Sequence, residues 1–229
     1  MGAEVGWIER FERHLTSERR LSAHTVAAYR RELAALAQWC ARTGLADWTR
    51  IDGRQVRSFA ARSHAAGLKP RSVQRRLSAL RTFFAFLMRE GLVRHNPAVD
   101  IRAPKAGRRL PHALDVDQMG RLLAMQPTGA LGQRDLAMME LLYSSGLRLA
   151  ELVGLNLTDL DLDDRTVRVL GKGSKVRIMP VGRQAIAALR GWLRQRTALA
   201  PAGESAVFVG QRGRRLGARA VQLIVARRA

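Results

Sequence analysis

Three prolines fall within one basic stretch near the middle of the chain and divide it into two parts that must each bury a core of their own. Pro97, Pro104 and Pro111 lie in residues 95–114, a stretch with few core-forming side chains. That composition is typical of a linker. The sequence therefore predicts a first domain in residues 1–95, a linker in residues 96–114 and a second domain in residues 115–229.

The first domain is predicted to be entirely helical, because its apolar residues recur at helical spacing. The clearest stripe has members at i, i+4, i+7, i+11 and i+14, namely Val73, Leu77, Leu80, Phe84 and Leu87. Similar stripes run through residues 7–15 and residues 26–40, with Gly44 ending the second as a C-cap, and residues 53–66 are a further helix candidate. Four helices joined by short loops indicate an antiparallel bundle.

The second domain mixes helices and strands. Helical patterns cover residues 115–125, 134–145, 183–199 and 218–228, whereas residues 166–170, 176–180 and 207–209 are predicted to be strands. A glycine-rich turn in residues 171–175 joins the first two strands. The predicted fold class is mainly α with a small β-sheet: an N-terminal helical bundle followed by a mixed α/β domain.

The charge of the chain indicates a polyanionic partner. Its formal net charge is +21, with 22 basic and 9 acidic side chains in residues 1–110 and 18 and 10 in residues 111–229. Self-repulsion at this charge opposes compaction, and nucleic acid would relieve it through phosphate neutralisation. The alternative is a ribosomal-type or merely arginine-biased protein.

One surface of the first domain is basic throughout. Between Asp52 and Glu90 the chain has nine basic residues and no acidic one. On the fourth predicted helix a polar face lies roughly opposite the apolar stripe, with Arg71, Ser72, Arg75 and Arg76 on or beside it. Such a helix suits a major groove or a phosphate ridge. The alternative is a solvated face, although solvated faces normally mix both signs of charge.

Two cationic positions in the second domain indicate a catalytic site. Arg148 lies in a Gly-Leu-Arg turn, and Glu151 follows one helical turn later, where it could hold the guanidinium. Taken alone, this is also the pattern of an ordinary surface ion pair.

The second position is Lys172. The chain uses four lysines against 36 arginines, yet Lys172 and Lys175 fall in the same five-residue turn. A lysine whose pKa is depressed can give up its proton near neutral pH and an arginine cannot, which fits a general acid. The alternative is a glycine-rich turn that only binds phosphate.

No metal site, leader sequence or membrane anchor is expected. The acidic cluster in residues 159–164 lacks calcium-loop spacing, since Asp164 and Leu170 stand where glycine and glutamate would be needed. Cys40 is the single cysteine and is expected to be buried. The N-terminus is charged, and no long uninterrupted apolar run occurs, so the expected location is cytoplasmic.

Three segments carry a resemblance to a known family. They are LSAHTVAAYRREL in residues 21–33, RDLAMMELLYSSGLRLAELVGL in residues 134–155, and VLGKGSKVRIMPVGR in residues 169–183. They resemble the tyrosine recombinase (phage integrase-like) family, and most strongly its members that resolve chromosome dimers. The resemblance covers essentially the whole chain.

The resemblance implies a SAM-like core-binding domain and a mixed α/β catalytic domain that together clamp duplex DNA. It implies that Arg148 is a catalytic arginine, that Lys172 is the catalytic lysine of a β-hairpin and that Glu151 supports Arg148. It also implies transesterification through a phosphotyrosine, without a cofactor or a metal. The expected DNA-binding residues are Thr25, Arg71, Ser72, Arg75, Arg76, Lys175 and Arg177.

The family's His-x-x-Arg helix and nucleophilic tyrosine find no match in these 229 residues, whose tyrosines are Tyr29 and Tyr143. We therefore expect a catalytic domain truncated before those motifs, in a chain that binds DNA without cleaving it. The implied partners are a chromosomal recombination site, a second recombinase in a heterotetramer and a septal DNA translocase. The alternatives are a non-catalytic DNA clamp and a mobile-element integrase.

Overall fold

A computed structural model describes residues 2–45, 47–105, 107, 115–124, 126–171 and 175–228. The chain separates into two compact units, residues 1–110 and residues 111–229. Each unit has a hydrophobic core of its own. Across the described residues the fold is mainly helical with a small antiparallel sheet, which confirms the predicted fold class.

The first unit contains the four predicted helices. They are α1 (Gly2–Arg13), α2 (Ala23–Thr43), α3 (Gly53–Ala65) and α4 (Pro70–Arg89), with a π-helical turn at His14–Glu18 and a 3-10 turn at Trp48–Arg50. Local sequence sets their ends. Ser22 Oγ accepts the Thr25 amide at the start of α2, and Gly44 ends that helix at φ +71°.

The core of the first unit is built around aromatic rings. The predicted stripe of α4 is fully buried, and Phe83 beside it contacts the rings of Phe11, Trp48 and Phe84 at centroid distances of 5.2–5.7 Å. Ala98 and Ile101 are also buried in this core, although they lie in the predicted linker. Arg81 fixes them by donating hydrogen bonds to both of their carbonyls.

The second unit combines five helices with three strands in its described part. They are α5 (Val116–Leu123), α6 (Gly129–Ser145), α7 (Leu149–Gly154), β1 (Leu160–Asp161), β2 (Thr166–Leu170), β3 (Val176–Pro180), α8 (Arg183–Arg196) and α9 (Ala218–Arg228). The strands pair antiparallel in the order β1-β2-β3. The predicted strands at 166–170 and 176–180 are confirmed, with Leu170 opposite Val176 beside the turn.

One predicted strand is wrong. Residues 207–209 are fully buried, but their backbone forms only isolated bridges at Ala206 and Val209. The Val207 amide donates to Leu155 O, whereas Phe208 O accepts the Leu216 amide. Because these hydrogen bonds reach two different segments, no ladder forms. The apolar residues belong to the core without belonging to a sheet.

The core of the second unit lies between α6, α8 and the inner face of the sheet. Trp192 of α8 is fully buried, and its Nε1 donates to Val207 O at 2.9 Å. Val167 and Val169 face this core, whereas Leu170, Val176 and Ile178 form an exposed apolar patch on the outer face of the sheet. The hairpin therefore has one face in the core and the other in solvent.

None of the described helices is long and apolar enough to cross a membrane. The described residues also include no group of three or more His, Cys, Asp or Glu side chains arranged to hold a metal ion.

Candidate active site and nucleic-acid interface

The turn between α6 and α7 presents Arg148 to solvent. Helix α6 ends at Gly146, which adopts a left-handed conformation at φ +58°. Leu147 is then buried, and Arg148 takes an extended conformation at the N-cap of α7. The Arg148 side chain is 71% exposed. Its guanidinium is thus held on a short rigid turn with most of its surface open to a ligand.

Glu151 holds the Arg148 guanidinium in place. Its Oε1 accepts a hydrogen bond from Arg148 Nη1 at 3.0 Å, and its Oε2 accepts one from the Arg148 amide at 2.8 Å. The Glu151 side chain is only 6% exposed. The sequence placed these two residues one helical turn apart, and the structure brings their charged groups into contact.

Arg177 reaches the same carboxylate from β3. Its Nη2 donates to Glu151 Oε2 at 2.8 Å, and its side chain is 33% exposed. The sequence interpretation placed Arg177 at the DNA surface, whereas the structure places it beside Glu151. This pairing could not be read from local spacing, because the two residues are 26 positions apart.

The electrostatic state of Glu151 follows from these contacts. Burial raises the pKa of Glu151, but hydrogen bonds from Arg177 and from the amide and side chain of Arg148 outweigh it and lower the pKa to about 2. The carboxylate is therefore ionised at neutral pH. One carboxylate between two guanidiniums leaves a net positive charge, which suits an anionic ligand.

The hairpin turn is described only at its two ends. The Gly171 amide donates to Lys175 O at 2.8 Å, which closes the turn, and Lys175 is exposed. Lys172, the predicted catalytic lysine, lies outside the described residues.

In the first unit, the predicted basic face of α4 has exposed and partly buried members. Arg71 is exposed, and its side chain makes no hydrogen bond or ion pair with the rest of the described chain. Arg75 is 59% exposed and lies 3.3 Å from a Glu32 oxygen. Ser72 is partly buried. Arg71 and Arg75 are the members of this face with the most surface available to a phosphate.

Arg76 instead points into the bundle. Its Nε donates to Glu32 at 2.7 Å, its Nη1 donates to Ser63 Oγ at 2.7 Å, and its guanidinium lies over the ring of Phe59. Its side chain is 14% exposed. Local sequence pattern gives no sign of the pairing of Arg76 with Glu32, because Glu32 lies on α2, outside the purely basic stretch. Its place next to Leu33, within the buried stripe of α2, was the available signal.

Thr25 lies in the first turn of α2, where its Oγ1 is 2.9 Å from Ser22 Oγ. It is partly exposed, beside the N-terminal amides of a 21-residue helix. Helix N-termini favour anions because their first amides lack partners within the helix. Thr25 is therefore placed where a phosphate could bind, in the same unit as Arg71 and Arg75.

Comparisons with known proteins give a consistent result. The model described as "Phage integrase, N-terminal SAM-like domain" matches residues 8–91, and that of the "Phage integrase family" matches residues 112–229. The chain is 52% identical over 211 residues to Tyrosine recombinase XerC of Pseudomonas syringae pv. tomato, spanning 92% of this chain and 70% of that protein. It is 48% identical over 221 residues to Tyrosine recombinase XerC of Xanthomonas campestris pv. campestris, spanning 96% and 68%.

Among solved structures, the Tn1549 transposon integrase in complex with a circular intermediate DNA has a TM-score of 0.78 with this chain. The match covers 98% of this chain and 76% of the integrase. At 19% identity it shows a shared fold and nothing more.

Proposed function

The chain belongs to the phage integrase family of tyrosine recombinases, and from this premise we propose that it is a site-specific recombinase of the XerC type. The proposed reaction cuts and rejoins DNA through a 3′-phosphotyrosyl intermediate and resolves chromosome dimers at cell division. Support comes from relatives named Tyrosine recombinase XerC that are about half identical over most of the chain.

The observation that carries the proposal is the arrangement of Arg148 on Glu151. An exposed guanidinium held by a buried carboxylate presents a planar fork of donors that matches two phosphate oxygens. In the proposed step a tyrosine oxygen attacks phosphorus and the 5′ oxygen leaves. Arg148 would stabilise the charge that builds on the phosphate, and Lys172 would protonate the leaving oxygen.

The proposed step needs neither ATP nor a metal ion. The phosphotyrosyl bond that forms conserves the energy of the phosphodiester bond that breaks. Rejoining is the same exchange in reverse, with a 5′ hydroxyl displacing the tyrosine.

The proposed partner is duplex DNA at a chromosomal recombination site. Arg71 and Arg75 of α4 and Thr25 of α2 would contact its backbone in the first unit. By extension from the relatives, we propose a heterotetramer with a XerD-type recombinase and contact with a septal DNA translocase. Chromosomal DNA as substrate would place the reaction in the cytoplasm.

The tyrosines of the chain favour a second, narrower proposal, that these 229 residues bind DNA without cleaving it. Tyr29 is stacked on Phe11 in the helical bundle, with interplanar angle 3°. Tyr143 is 57% exposed on α6, five residues before Arg148. Neither lies in a sequence that matches the family's nucleophile motif.

A nicked suicide substrate tests both proposals together. We expect the chain to retard the duplex in a native gel and to form no adduct that survives denaturation, because no suitable nucleophile is present. A relative that carries the family's tyrosine motif serves as the positive control. A covalent adduct abolished by Tyr143→Phe would contradict the narrower proposal, and failure to retard any duplex would contradict the recombinase proposal.

Truncation of Arg71 should affect DNA binding, whereas truncation of Arg76 should affect stability. We expect Arg71→Ala to reduce the slope of log K against log[salt] by about 0.9, because it removes one phosphate contact. Arg76→Ala should leave that slope unchanged and lower the free energy of unfolding by about 1.5–3 kcal/mol, because Glu32 loses a charged hydrogen bond. Salt titrations and urea denaturation of both variants measure this, and an equal loss of slope in both would show that Arg76 also faces DNA.

A further inference from the structure

Arg177 links strand β3 to the turn that presents Arg148. It lies on β3, opposite Val169 of β2, in the hairpin whose turn includes Lys172. Its guanidinium donates to Glu151 of α7, which in turn accepts from Arg148. A single buried carboxylate is thus shared between the hairpin and the turn that presents the exposed arginine.

The hairpin makes room for this contact at Gly171. A Cβ on Gly171 would lie 2.9 Å from Arg177 Nη1 and 3.2 Å from Lys175 O. A side chain there would therefore force the Arg177 guanidinium or the turn backbone to shift. Gly171 directly precedes Lys172, so the Arg177 side chain lies against the first residue of the lysine-bearing turn.

The charges explain why a second arginine is needed. If Arg148 alone faced Glu151, the pair would be neutral, and the carboxylate would compete with a phosphate for the same guanidinium. With Arg177 taking part of Glu151 Oε2, the three groups carry one net positive charge. The exposed side of Arg148 then remains available to an anion.

We propose that Arg177 is a positioning residue that acts through Glu151 and orients Arg148 towards phosphate. This role rests on the proposed recombinase function. It replaces the direct DNA contact that the sequence suggested for Arg177. The side chain touches neither substrate nor reacting atoms in this scheme.

Two other charged groups line the cleft of about 440 Å³ beside Glu151, and they provide a matched control. Asp159 and Arg168 pair with each other at 3.1 Å. Arg168 lies on β2, one strand from Arg177, and is 56% exposed. Arg168→Gln therefore removes one strand arginine and one ion pair near the site without touching Glu151.

The first test needs no DNA and follows the titration of the Glu151 carboxyl carbon by NMR. In the unsubstituted chain the pKa of Glu151 is about 2. Arg177→Gln should raise this pKa, because burial then acts with less opposition. Arg168→Gln should leave it unchanged, and Arg177→Lys, which keeps the charge, should restore most of the depression.

The sign of the stability effect follows from the same titration. A carboxyl whose pKa is held below its unfolded value stabilises the fold at higher pH and loses that stabilisation as the pH falls through the folded pKa. Arg177→Gln should therefore move the acid unfolding of the second unit to higher pH. If both the titration and the acid transition are unchanged in this variant, the link through Glu151 is overturned.

The second test uses duplex DNA and a cycle of four proteins: the unsubstituted chain, Arg148→Gln, Arg177→Gln and the double variant. Each phosphate contact contributes about 0.9 to the slope of log K against log[salt]. If Arg177 acts through Arg148, the double variant should lose no more slope than Arg148→Gln alone. A further loss of about 0.9 in the double variant would make Arg177 a direct phosphate contact and overturn the proposal.

The two tests separate this inference from the function on which it rests. Should the unsubstituted chain bind no duplex, the recombinase proposal fails, whereas the Glu151 titration still shows whether Arg177 controls that carboxylate. If the chain binds duplex and the losses of slope in Arg148→Gln and Arg177→Gln add up in the double variant, the recombinase proposal stands and the positioning role is refuted.

Discussion

Raising the salt from about 50 mM to about 200 mM should weaken duplex binding by about 10³- to 10⁵-fold, provided that six to ten phosphates are contacted. The physical reason is counterion release, which supplies most of the binding free energy when arginines meet phosphates. Both units are basic, and the side chains of Arg71, Arg75 and Arg148 are exposed. Fluorescence anisotropy across a salt series measures the effect.

A duplex with an uncharged methylphosphonate backbone is the matched control for that experiment. Its affinity should be low and nearly independent of salt, because no condensed counterions are released from it. A flat salt response on ordinary duplex would contradict the assignment of both basic surfaces to DNA. The excess arginines would then be interpreted as charge that only keeps the protein soluble.

Trp192→Ala should lower the free energy of unfolding of the second unit by about 3–5 kcal/mol. Trp192 of α8 is fully buried in the same core as residues 206–209, and its indole donates to Val207 O. Truncation therefore leaves a large cavity and an unpaired buried carbonyl, which add to the cost. Urea denaturation followed by circular dichroism gives the change in unfolding free energy.

Tyr143→Ala is the control for this substitution, since it removes an aromatic ring from the same unit at a position that is 57% exposed. Its expected effect is within about 0.5 kcal/mol of zero, as for most surface substitutions. Comparable losses in the two variants would mean that Trp192 does not organise this core.

The elements that could be predicted from sequence are those whose signals are local. The hairpin strands alternate over five residues each and match the structure at both ends. Helix α4 repeats its apolar stripe over five positions, and all five are buried. Residues 207–209 have the same apolar character as a strand, yet their partners are the separate segments around Leu155 and Leu216. Composition cannot distinguish that arrangement from a ladder.

The same distinction between local and distant contacts applies to the candidate site. The turn that presents Arg148 and its contact with Glu151 could be predicted, because both depend on residues within one helical turn. The pairing of Arg177 with Glu151 and that of Arg76 with Glu32 could not, since 26 and 44 positions separate the partners. Local sequence pattern predicts that both arginines are exposed, because it gives no sign of a carboxylate that is distant along the chain.

The apolar outer face of the hairpin has a consequence for handling the protein. In the part of the chain that the structure describes, β3 is an edge strand of its sheet, and Val176 and Ile178 of β3 form an exposed apolar surface with Leu170 of β2. Exposed strand margins of this kind recruit other strands and seed aggregates unless charged gatekeepers repel them. Arg168 and Lys175 flank the three residues and supply such charges, so replacing both with neutral residues would make concentrated preparations more prone to precipitate.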